Sequence, residues 1–139
     1  AAQTLHEDHE RLATTLDRLR SIADALDDAE PAAAVALIKE ASGLVDDRIV
    51  AHESDDESTV YPRLSKYLSD AHGLNAMSRA HREIIHQARL LARVVRDVDA
   101  AEVDRHLIRD AQRVIESVEA LVRIHSAQEE DIYEHAMAT

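Results

Sequence analysis

Apolar residues in this chain recur at steps of three and four along four separate stretches, and almost nothing in the sequence can interrupt them. The stripes run Leu5, Leu12, Leu16, Leu19, Ala23, Leu26; then Ile38, Val45, Ile49 towards Val60; then Met77, Ile84, Ala88, Leu91, Val95, Val98; and finally Leu107, Ala111, Val114, Val118, Leu121, Ile132. That spacing gives each stretch one buried helical face, and no run shows the two-residue period of a strand. Only two Gly and two Pro occur in 139 residues. Pro31, after Asp27-Asp28-Ala29-Glu30, suits the first turn of a second helix. Pro62 opens a short segment to Ala71 that Gly73 is placed to stop. A brief connection, Asp97 to Ala101, separates the third and fourth stripes. The expected fold is all-α: an up-down-up-down four-helix bundle with a short extra helical segment between helices two and three, forming a single domain over residues 1–139.

Charge removes several classes of partner. Asp and Glu number 28 against 16 Lys and Arg, a net charge of −12. Nucleic acid and anionic membrane both require a basic face, so neither is an expected partner. No apolar run approaches the ~20 residues of a membrane span, and no signal-peptide pattern opens the chain, so a cytoplasmic location is expected. The absence of Cys excludes a thiolate metal site, a disulfide framework and a cysteine nucleophile. Arg and acid at helical spacing, as in Arg79 and Glu83, read as surface pairs worth ~0.2–0.5 kcal/mol each.

The histidines are the anomaly. There are nine, beside three Tyr and no Phe or Trp. His9 lies between Leu5 and Leu12, His52 three past Ile49, His81 between Met77 and Ile84, and His125 four past Leu121, so one falls on each seam. Measured from the turn near residue 30, His9 and His52 stand at nearly the same depth at ~1.5 Å per residue. His81 and His125 match more loosely about the second turn, and all four converge at the end that carries the chain N-terminus. His6, His72, His86, His106 and His135 lie off the seams or in joins and read as solvated or rim residues. There is also an internal repeat. His52 follows His9 by 43 residues and His125 follows His81 by 44, and each later histidine is followed by two acids, Asp56-Glu57 and Glu129-Glu130.

Asp56 and Glu129 continue the seams one turn beyond His52 and His125, and a carboxylate there is costly unless its charge is compensated. Ordinary histidine–acid hydrogen bonds would account for any single pair. Four imidazoles and two carboxylates in one pocket would stay uncompensated, and two cations resolve the problem, with carboxylates bridging and neutral imidazoles terminating. Imidazole with carboxylate suits iron, zinc or manganese. Six protein ligands over two ions would leave positions open for water, oxide, dioxygen or peroxide.

In these fragments the chain resembles the hemerythrin-like (HHE) di-iron proteins over nearly its whole length. The carriers are His9, His52-x-x-x-Asp56-Glu57 followed by Tyr61-Pro62, Ala80-His81-Arg82, and His125-x-x-x-Glu129-Glu130. The resemblance implies two iron ions with an oxo or hydroxo bridge. His9 and His52 would hold one iron, His81 and His125 the other, with Asp56 and Glu129 as bridges. Two departures stand out. Oxygen-carrying hemerythrins have a second histidine one turn from that of the third helix, where this chain offers Met77 and Ile85. The second-helix bridge is usually Glu, one methylene longer than Asp56, so Glu57 could replace Asp56, and Glu53, Glu130 or Tyr61 could fill a vacant position. The histidine deficit favours reaction with small oxidants (hydrogen peroxide, dioxygen or nitric oxide), including peroxide decomposition. Reversible oxygen or nitric oxide binding, iron or oxygen sensing, and a metal-buffering bundle are the other readings.

Overall fold

The computed structural model describes residues 2–68, 72–96 and 98–138, and side chains over 4–68, 73–96 and 98–137. Four helices are packed as a bundle. Helix α1 spans Ala2–Ala25. Helix α2 runs unbroken over residues 31–64, its α-helical parts Pro31–Leu44, Ala51–Asp55 and Tyr61–Leu64 joined by π-helical stretches Val45–Val50 and Asp56–Val60. Helix α3 is His72–Arg96, and α4 is Arg105–Ala138, preceded by a 3₁₀ turn at Ala100–Glu102. Each helix packs on its sequence neighbours, and α4 closes the ring against α1. Among the described residues no helix is long and apolar enough to cross a membrane.

The helix starts follow capping chemistry. Pro31 takes the first turn of α2, where its missing N–H is not needed. Asp104 accepts from the Leu107 N–H at 2.8 Å to cap α4, and Asp99 accepts from the Ala101 N–H in the 3₁₀ turn. Two local expectations change. The short piece after Pro62 exists, but it continues α2 instead of standing apart. Asp56–Val60 is π-helical, with the Tyr61 N–H reaching the Asp56 carbonyl five residues back, and this wider turn accommodates a ring that would crowd a tighter ladder. Gly73 does not stop a helix; it lies in the first turn of α3, where a Cβ would touch Ile132 at 3.4 Å. The end of the expected Pro62–Ala71 segment (69–71) and Asp97 of the second connection lie outside the described residues.

Burial follows the stripes closely in three helices. In the fourth it is centred one residue further on. Ile108, Ala111, Ile115, Val118 and Val122 are buried, while Leu107, Val114 and Leu121 lie half-buried against the core edge. The apolar interior has two parts. The larger extends from the turns at one end to Leu12, Ile49, Ile84 and Val122. The smaller gathers Tyr61, Leu64, Leu74, Met77 and Ala136 at the other. In α2, α3 and α4 the seam histidine falls between the two, and in α1 His9 lies one turn beyond Leu12, the last residue of the larger cluster.

Candidate metal centre

That intervening layer is polar and buried, except that His52 is half-buried. His9 comes from α1, His52, Glu53 and Asp56 from α2, His81 from α3, and His125 and Glu129 from α4. The five other histidines behave differently: His6, His86, His106 and His135 are exposed, and the side chain of His72 lies outside the described residues. Within the layer the side chains form two groups whose donor atoms lie within 4.8 Å of one another: His9, His52, Asp56 and Glu129, and Glu53, His81, His125 and Glu129. Glu129 belongs to both.

In the first group His9 Nε2 lies 3.2 Å from Glu129 Oε1, and His52 Nε2 lies 3.0 Å from Asp56 Oδ2. In the second, Glu53 Oε2 is 2.7 Å from His81 Nε2 and 3.1 Å from His125 Nε2. The Tyr61 hydroxyl donates to Glu129 Oε2 at 2.5 Å and stands 3.0 Å from His81 Nε2 and 3.3 Å from His125 Nε2. Its ring stacks on His81 at 5.0 Å. Behind His9, Glu130 Oε1 approaches Nδ1 at 3.1 Å. Behind His81, Glu57 Oε2 comes to 3.5 Å of Nδ1 and accepts from Ser78.

The expected residues therefore come together, with a change of emphasis on α2. Glu53 has no solvent exposure, whereas the Glu57 side chain is 43% exposed. Asp56 joins one group only, so the carboxylate common to both is Glu129. The signal for Glu53 is present in the sequence: it stands four residues after Ile49 and three before Asp56, a seam spacing. Met77 is buried in the smaller apolar cluster, and Ile85 is half-buried.

Electrostatics show how strongly the charges of this layer depend on one another. Burial opposes the imidazolium of His125, but Glu129 and Glu53 outweigh it and raise its pKa to about 9. Burial also opposes ionisation of Glu129, yet His125 and His9 hold its carboxyl well below the usual range. Asp56 is pushed up to about 6 by burial and by the neighbouring Glu129. Burial, then the charge of Glu129, makes the Tyr61 phenol much harder to ionise.

Hydrogen bonding does not account for the arrangement. Among the described buried side-chain atoms without a hydrogen-bond partner are His52 Nε2, both Glu53 oxygens, Asp56 Oδ2, and Nδ1 of His81 and His125; the one from outside the layer is Ser126 Oγ. His52 and Asp56, and Glu53 with its two histidines, approach closely without the alignment of hydrogen bonds. Buried polar atoms that converge without satisfying one another suit a cation between them. Neutral imidazoles and carboxylates in groups of four, sharing one acid, fit two adjacent divalent or trivalent ions of borderline hardness. A family model, the Hemerythrin HHE cation binding domain, matches residues 1–137. No curated protein and no solved structure matches the chain.

Proposed function

Since the chain belongs to the hemerythrin HHE cation-binding family, we infer that it is a non-haem di-iron protein that reacts with small oxidants, hydrogen peroxide foremost. The observation that carries this reading is Glu129, the one side chain shared by two four-residue donor groups. His9, His52 and Asp56 would hold one ion, and Glu53, His81 and His125 the other, with Glu129 between them. When bound, a pair of irons supplies two-electron redox chemistry at one point, which is what converting two hydrogen peroxide molecules into two waters and one dioxygen requires.

The protein's own contribution is to position and to exclude. The two apolar clusters above and below the layer keep bulk water from the donors, so their charges act in a low-dielectric setting. Glu130 behind His9 fixes that ring and its tautomer. Tyr61 keeps its proton, donates it in a hydrogen bond to Glu129 Oε2, and sits among the nitrogens of the second group. It is the side chain placed either to give a proton there or to serve as an anionic ligand where oxygen carriers have a further histidine. Reversible binding of dioxygen or nitric oxide is the second reading, favoured by the complete burial of Glu53 and His125. The two separate by experiment. Iron-loaded protein should evolve oxygen from peroxide over many turnovers, and His81→Ala should abolish this. Reaction with peroxide in stoichiometric amount only, beside a spectral change that reverses as dioxygen is removed, would establish the binding module instead. Zinc content with no visible absorption would leave neither.

A further inference from the structure

Among the described residues, two cavities open on the half of the bundle that holds the polar layer. The larger, about 560 Å³, is walled by Val60, Leu64, Tyr67, Tyr133 and Met137, with Lys66 at its rim. None of the clustered histidines or acids lines it. The smaller, about 300 Å³, lies between α2 and α3. Ser54, Glu57 and Ser58 form its α2 wall and Arg82 and Ile85 its α3 wall, and Glu53 and His81 are its floor. It thus ends on two donors of the second group. Both oxygens of Glu53 and Nδ1 of His81 are among the buried atoms without a hydrogen-bond partner.

We propose that this α2–α3 cleft is the route by which small oxidants and small anions of a few heavy atoms reach the second ion. The proposal rests on the di-iron reading and goes beyond it by assigning one face of the bundle to ligand access. Three properties of the cleft carry it. Its size excludes large organic substrates but holds about ten waters' volume at ~30 Å³ each. Its walls are mostly polar, with Ser54, Glu57 and Ser58 on α2 and Arg82 on α3 beside the one apolar residue, Ile85, which suits ligands as small and polar as peroxide or azide. Its inner end is formed by Glu53 and His81, two donors of the second group. Half-buried Ile85 is then the wall side chain whose position sets the opening, one turn after His81.

Stopped-flow absorption of the iron-loaded protein mixed with azide tests this directly. Ile85→Trp narrows the cleft from α3, and Ser58→Trp covers its mouth from an exposed position that leaves the core untouched. Lys66→Trp obstructs the larger cavity as the control. Iron content, helicity and the spectrum before mixing should match the wild type in all three. Azide association should slow by about tenfold in at least one of the two cleft variants and stay within twofold of wild type in Lys66→Trp. Unchanged association in both cleft variants overturns the proposal while leaving the di-iron reading intact, as does equal slowing in Lys66→Trp. Loaded wild type that binds no azide also overturns it. Failure of the wild type to take up iron removes the reading on which it rests.

Discussion

Two acids separated by one turn of α2 make opposite use of the same chemistry. Glu53 is sealed from solvent against His81 and His125, and Glu57, four residues on, stands at the surface bonded to Ser78. Replacing Glu53 by Gln keeps the volume but removes the charge that faces two imidazoles. Metal affinity should fall at least 100-fold and one of the two ions should be lost, whereas Glu57→Gln should lower affinity by tenfold or less, through His81 Nδ1 alone. Competition titration with a chromogenic chelator measures both, and equal losses in the two variants would show that Glu53 is not a donor. Much of this layer is legible in the sequence, because a seam position needs only spacing to be recognised. His9, His52, His81, His125, Asp56 and Glu129 all follow from three- and four-residue steps. Spacing does not rank acids that crowd one stretch of helix. Between Glu53, Asp56 and Glu57 the decision is made by packing against α3 and α4, which no single helix encodes.

Helix α2 shows what element-level patterning carries and what it leaves out. The 3.6-residue period forecasts a helix through Ile38, Val45 and Ile49, yet the π-helical stretches and the passage through Pro62 depend on where individual carbonyls find partners. The fourth helix exposes a different limit: Leu107, Val114 and Leu121 form an apolar column beside Ile108, Ile115 and Val122, and only contact with α1 and α3 selects the second. That contact has a polar clamp. Arg20 on α1 donates to both oxygens of Glu119 on α4 at 3.1 and 2.8 Å, and Arg123 donates to Glu119 at 2.6 Å and to Asp17 at 2.8 Å. Glu119 is buried, and although burial opposes its charge, Arg123 and Arg20 keep its pKa below the ordinary value. Glu119→Ala leaves two guanidinium groups without their shared acceptor at the α1–α4 seam, and should lower unfolding stability by about 1–3 kcal/mol in urea titrations. Arg20→Ala should lower it by less, since Glu119 retains Arg123. If Arg20→Ala proves the more damaging, packing of the Arg20 stem and not the clamp holds the seam.

For the whole molecule, the polar layer couples folding to protons and to metal at once. In metal-free protein, the histidine contribution is fully present below the ordinary pKa of 6.5 and is lost as pH rises through the folded value, about 9 for His125. His9 and His52, also raised although burial opposes them, lose theirs in the same direction. Glu53 and Glu129 are lowered from 4.5 despite their burial, so their contribution is fully present above that value and disappears only in acid. Asp56, raised from 3.8 to about 6, adds a loss over that interval. The metal-free bundle should therefore melt at progressively lower temperature between pH 6.5 and 9, with His125 alone accounting for roughly 3 kcal/mol. Cations remove the slope, because they occupy the same lone pairs and displace the protons. Metal-loaded protein should hold its melting temperature across that window. Loading near pH 7 should release protons, detectable by calorimetry in buffers of different ionisation enthalpy. A metal-free melting temperature that stays level from pH 6.5 to 9, together with loading that releases no protons, would mean that the seven side chains of the layer are not charge-paired in the folded protein. The burial of so much ionisable surface between two apolar clusters would then need another source of compensation.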